Sequence, residues 1–175
     1  MKNFVNTFIL DKMLLICNYK NIREISNLKK IILHFSIKDA AINSKKIIPG
    51  CLALSLISQK KSFLINSKKS VMILKVRKGM VISSKITLRN KNMFNFLNKF
   101  NLINIYKLKY NWRSKKNSLD IKTISLRISE LYAFPEIEKF FDFFDILPFL
   151  GITFVTNKKN YLESQKLLSL LGILK

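Results

Sequence analysis

Five cations crowd one stretch of the chain: Lys68, Lys69, Lys75, Arg77 and Lys78 all fall within residues 66–79, NSKKSVMILKVRKG. Like charges this close repel one another unless an anion sits among them. A long basic connection between strands is a natural arm for phosphate contacts, and Ser70 and Gly79 join its candidate contact set. The competing reading is a solvated, flexible loop. Alternation supplies a second set. In residues 28–38, Lys30, Ile32, His34, Ser36 and Lys38 point one way; in 81–89, Ser83, Lys85, Thr87 and Arg89 also share one side. If the two runs lie in one sheet with the same face wet, Lys30, His34, Lys38, Lys85, Thr87 and Arg89 form a basic plate. Such a plate suits RNA, whose shape, sugars and phosphates are read over a wide, shallow surface. A merely solvated sheet face usually carries both signs of charge. The charges named here are all positive.

Catalysis finds little support. His34 is the only histidine, and no Ser or Cys is placed by sequence to act with it. Cys17 and Cys51 form no CxxC or Cys/His spacing, so zinc and a disulfide framework are both unsupported. They read as small buried hydrophobes in a reducing compartment. The glycine-rich phosphate loops GxGxxG and Walker A are absent. Glu136, Glu138, Asp142 and Asp145 cluster within one helix length. In a chain this basic they are expected to pair with local lysines or face a basic protein. No enzyme, catalytic residue, metal or cofactor is expected.

The elements that must position these residues are set by composition and period. A length of 175 residues suits one domain, and a hydrophobic fraction of 49% is enough for a real core. A net charge of +22 on a chain that can fold calls for a polyanionic partner, nucleic acid or an anionic membrane surface. No helix pattern sets a basic face against a Trp/Phe/Leu stripe, which weakens the membrane reading. No apolar run approaches a membrane span; the nearest, residues 140–155, is broken by Asp142, Asp145 and Pro148. Lys, Asn, Ile and Phe are abundant while Gly and Pro are scarce, a codon bias of AT-rich genomes such as those of organelles and reduced endosymbionts. Some lysines therefore reflect the genome rather than a ligand.

Residues 4–16 place Phe4, Phe8 and Leu15, with Val5, Ile9 and Ile16, at rough helical spacing. They contain Asp11 and no Arg, which favours a structural helix over a targeting peptide. Residues 28–38, 62–66, 81–89, 124–128 and 152–156 read as strands. Residues 40–58 read as a helix interrupted at Pro49-Gly50. Met93, Phe96, Leu97 and Phe100 form one helical stripe. Asn160 with Glu163 resembles a helix start, and Gly172 suits a stop. Residues 106–117 are basic and aromatic without a clear period. The expected fold is α+β: an antiparallel sheet of about five strands with helices packed on one face, a two-layer sandwich. It forms a single domain over 1–175, with an N-terminal helix region at 1–24, an extended basic loop at 66–80 and a C-terminal helix at 158–175.

Taken in order, KKSVMILKVRKG, then KITLRNKNMFNFL, then YAFPEIE resemble the universal large-subunit ribosomal protein five family, which binds 5S ribosomal RNA. The resemblance runs from about Asn18 to about Thr156, with CNYKNIREISNLKKI similar to the family's entry into its first strand. FDFFDILPFLGITFVT looks closer to mitochondrial members. The resemblance implies a place in the central protuberance, between 5S rRNA and the large rRNA. It also implies that residues 67–80 are the loop reaching toward peptidyl-site tRNA, and that a small-subunit head protein is a neighbour. Thr87 and Arg89 match family positions that recognise 5S rRNA. The family's strand-one Asn falls at His34 and its Gln at Lys60, with Gln59 one position earlier, and Ser26 replaces the family's Pro. Lys donates only, where an amide both donates and accepts. The altered set implies a divergent 5S rRNA or a different RNA in its place. Mitochondrial residence is expected, with a plastid, an endosymbiont or a free RNA-binding module as alternatives.

Overall fold

Strict alternation makes β1 (Leu28–Ser36): Ile31, Leu33 and Phe35 are fully buried, while Ile32 and His34 between them are only half-buried. The same two-residue period builds β3 (Val81–Leu88), which buries Ser84, Ile86 and Leu88, and β5 (Thr123–Ile128), which buries Ile124, Leu126 and Ile128. With β2 (Phe63–Asn66), β4 (Asn111–Arg113) and β6 (Leu150–Thr156) they form a six-stranded sheet in the order β2-β3-β1-β6-β5-β4. The fold is the expected α+β arrangement, an antiparallel sheet with helices packed on it. The strand beyond the five anticipated is β4, three residues within the basic aromatic stretch whose sequence carries no alternation.

The computed structural model describes residues 8–17, 19, 21–37, 40, 43–106, 111–113, 123–157 and 160–173. Two compact units divide the chain, one of residues 1–31, 88–126 and 153–175, the other of residues 32–87 and 127–152.

The first unit holds α1 (Leu10–Cys17), α3 (Asn90–Tyr106) and α6 (Tyr161–Leu170). In α3 the expected stripe is buried, and Phe100 stacks on Phe96 and meets Phe154 of β6 edge-on at 6.4 Å. Asn101 Nδ2 donates to the Leu171 carbonyl at 2.8 Å, tying α3 to the end of α6. Around α1 the buried pair is Ile9 and Met13, whereas Phe8, Leu15 and Ile16 are exposed. The buried stripe therefore runs beside the expected one; residues 4 and 5 lie outside the described residues. Asn160 precedes α6 as expected, but its side chain donates to Glu163 Oε1 at 2.7 Å instead of capping a backbone amide. The helix ends at Gly172, where the Ile173 amide reaches back to the Leu168 carbonyl at 3.0 Å.

The second unit holds α2 (Ile47–Ser58) and two single turns, α4 (Pro135–Glu138) and α5 (Phe141–Phe144). Pro49-Gly50 does not interrupt α2. Pro49 lies in the first turn, where no intrahelical partner waits for its missing amide. Gly50 is the point of closest approach to the sheet: a Cβ there would stand 3.2 Å from Ile37 Cδ1 and 3.3 Å from Ser84 Oγ. Residues 44–46 form a separate 3₁₀ turn, so the α-helix begins later than expected. The acidic segment is likewise not one helix. It is α4 and α5 joined by a turn, with Ile137 and Phe144 buried and Tyr132 Oη donating to Asp145 Oδ1 at 3.0 Å.

Candidate nucleic-acid interface

In the second unit the helices take one side of the sheet and leave the other open. His34, Lys85 and Thr87 stand on that open side, each half-buried by its strand neighbours. Arg127, exposed on β5 between buried Leu126 and Ile128, joins them. Its guanidinium lies 4.7 Å from the centre of the Phe149 ring, a cation–π contact that holds the charge in place. Lys85 and Arg127 both bear on His34. Burial chiefly, then these two cations, holds the imidazole below its ordinary 6.5. The ring is therefore neutral at physiological pH and presents one donor nitrogen and one acceptor nitrogen between two positive side chains.

Lys60 follows Gln59, whose left-handed backbone (φ 53°) ends α2, and its ammonium donates to the Thr87 carbonyl at 3.2 Å. Lys60 thus docks on β3 beside the open side, with two further donors for a ligand. Lys30 and Arg89 belong to the first unit, Lys30 half-buried on β1 and Arg89 exposed just past β3. Lys38 lies outside the described residues. The structure therefore brings together His34, Lys60, Lys85 and Thr87 in one unit, and adds Arg127. The sequence shows Arg127 alternating outward without marking it as part of the site; its flank of buried Leu126 and Ile128 was the available signal.

The basic segment is a built hairpin rather than a loose loop. The Ser67 amide donates to the Met80 carbonyl at 2.8 Å and the Gly79 amide to the Ser67 carbonyl at 3.0 Å. Val71 and Val76 pair through bonds of 2.9 and 3.1 Å, and a turn over residues 72–75 closes with Lys75 at φ 53°. Lys68, Lys69, Ser70, Lys75, Lys78 and Gly79 are exposed, and Arg77 is half-buried or more open. The tip is apolar, with Met72 95% and Ile73 92% exposed, a feature that attention to the cations alone passes over.

The charge field is one-signed by construction. No Asp or Glu occurs between Asp39 and Asp120, while five of the ten carboxylates fall at residues 130–145. Cys17 and Cys51 are half-buried and unpaired, not fully buried as expected. Among the described residues no cluster of His, Cys, Asp and Glu is arranged to hold a metal ion, and no helix is long and apolar enough to cross a membrane.

The fold and its open basic side define a basic α+β protein with an uncovered sheet face and a projecting cationic hairpin. Residues 81–174 match the family model that describes the C-terminus of the ribosomal uL5 family. The chain is similar to large ribosomal subunit protein uL5 of Clostridium acetobutylicum, 34% identical over 156 residues, covering 89% of this chain and 86% of that protein. It is similar to the same degree to large ribosomal subunit protein uL5m of Reclinomonas americana, 33% identical over 153 residues, covering 87% and 84%. The chain belongs to the uL5 family of large-subunit ribosomal proteins. Bacterial and mitochondrial members match it equally, so the expected affinity of residues 141–156 for mitochondrial members does not extend to the whole chain.

Proposed function

We propose that this chain is a structural constituent of a mitochondrial large ribosomal subunit, clamping ribosomal RNA in the central protuberance. The RNA is 5S rRNA or the segment that replaces it. Lys85 and Arg127 neutralise phosphates on the open side of the second unit, with Lys60 and Thr87 beside them. Lys30 and Arg89 extend the contact from the first unit, with Lys38 beyond the described residues. The hairpin of residues 67–80 reaches outward, its cations toward peptidyl-site tRNA or rRNA. The acidic segment at 130–145 is a docking place for a basic neighbouring protein, a small-subunit head protein among the candidates.

The observation that carries this reading is the one-signed charge around His34, on a chain with no carboxylate between Asp39 and Asp120. Phosphates released from their counterions supply the binding energy. The AT-driven composition supports an organelle genome. Sucrose-gradient fractionation with RNA crosslinking tests the proposal: co-sedimentation with large subunits, with rRNA crosslinked at Arg89 and the hairpin, is expected. Sedimentation apart from large subunits, as for a free RNA-binding module, overturns it. A gene located on a plastid or bacterial genome would move the compartment and leave the chemistry unchanged.

A further inference from the structure

The register of β2 decides which way its four exposed side chains face. Phe63 stands opposite Lys85, Leu64 opposite Ser84 and Ile65 opposite Ser83. Residues paired directly across strands share a face. Ser84 is buried beneath Gly50 of α2, so Leu64 turns toward the helices, where it lines an apolar cavity with Ile48, Leu52 and Val81. Phe63 therefore turns to the open side with Lys85, and its residue is 65% exposed.

A phenyl ring this exposed on an edge strand is a liability unless a ligand covers it. The cover must suit both the ring and the cation beside it, Lys85. A polypeptide would meet the ring but needs carboxylates for the cation. An unpaired nucleotide meets both demands in one unit: its base stacks on the ring and its phosphate pairs with the ammonium. We propose that Phe63 is a stacking platform for a single unpaired nucleobase, so that the RNA held on the open side carries a bulged or looped nucleotide there. This rests on the RNA-binding reading above and adds the class of RNA bound.

The test uses the full chain with two probes, a single-stranded oligoadenylate and a blunt RNA duplex. Phe63→Leu should weaken oligoadenylate binding about tenfold, equivalent to ~1.4 kcal/mol, while duplex binding and the salt slope stay unchanged. Phe63→Tyr should bind as the natural chain does. With the natural chain, an iodouridine oligomer irradiated in the complex should form its adduct at Phe63, a readout independent of any variant's folding. Equal binding by Phe63→Leu, equal losses on both probes, or an adduct confined to other residues overturns the inference. If the natural chain binds neither probe even at low salt, the RNA-binding reading fails instead. A photoreactive residue at position 63 that crosslinks a protein, not rRNA, in assembled large subunits also overturns the inference.

Discussion

The imidazole of His34 on β1 occupies the space where a side chain of Gly151 on β6 would begin. A Cβ at Gly151 would come closer than 3.0 Å to Cε1, Nε2 and Nδ1 of the ring. Gly151→Ala should therefore push the ring out of position, costing about 1–3 kcal/mol as other overpacking changes do. In the background of His34→Ala the same change should cost little, a non-additivity of roughly 0.5–3 kcal/mol in thermal unfolding. Additive costs would show that the two residues do not share this space.

Acid should weaken the fold through His34. Burial, Lys85 and Arg127 hold its folded pKa below the 6.5 of the unfolded chain. The unfolded state then takes up the proton first as pH falls. The contribution is whole above 6.5 and is lost as pH falls through the folded value. The melting temperature of the natural chain should drop over this interval, and that of His34→Gln should drop less. Parallel curves for the two would remove His34 as the cause.

The strands that place His34, Lys85 and Arg127 were readable because their apolar residues alternate with polar ones. β2 was not readable in the same way. Phe63, Leu64 and Ile65 are consecutive apolar residues, so only pairing with β3 tells that Phe63 and Leu64 serve opposite faces. The Pro49-Gly50 pair misled because local propensity treats both as breakers. Proline in a first turn and glycine beneath a crowded sheet contact are position effects that no window along the chain contains. The relation of His34 to Gly151 is similarly hidden, since it joins residues far apart in sequence. The hairpin showed its charge but not its order, which resides in backbone bonds.

Arg127 acts on both His34 and the RNA in this reading. Arg127→Gln removes one of the two cations that depress the imidazole, so the His34 titration followed by NMR should move up toward 6.5. The same variant should lower the slope of log affinity against log salt by ~0.7–0.9, the share of one phosphate contact. A shifted titration with an unchanged slope would leave Arg127 as a neighbour of His34 and take it off the binding surface.

The hairpin separates charge from fold. Its closing bonds join the backbones of Ser67, Met80, Gly79, Val71 and Val76, and none of them uses a charged side chain. Replacing Lys68, Lys69, Arg77 and Lys78 by Gln should leave thermal stability within about 0.5 kcal/mol, as for other surface changes. The repulsion among the cations is relieved at the same time, which opposes any loss. RNA binding should respond differently: each cation that meets a phosphate gives up ~0.7–0.9 of the salt slope. A large drop in melting temperature would mean that the charges hold the hairpin together. An unaltered slope at full stability would mean that the arm projects into solvent and meets no phosphate at all.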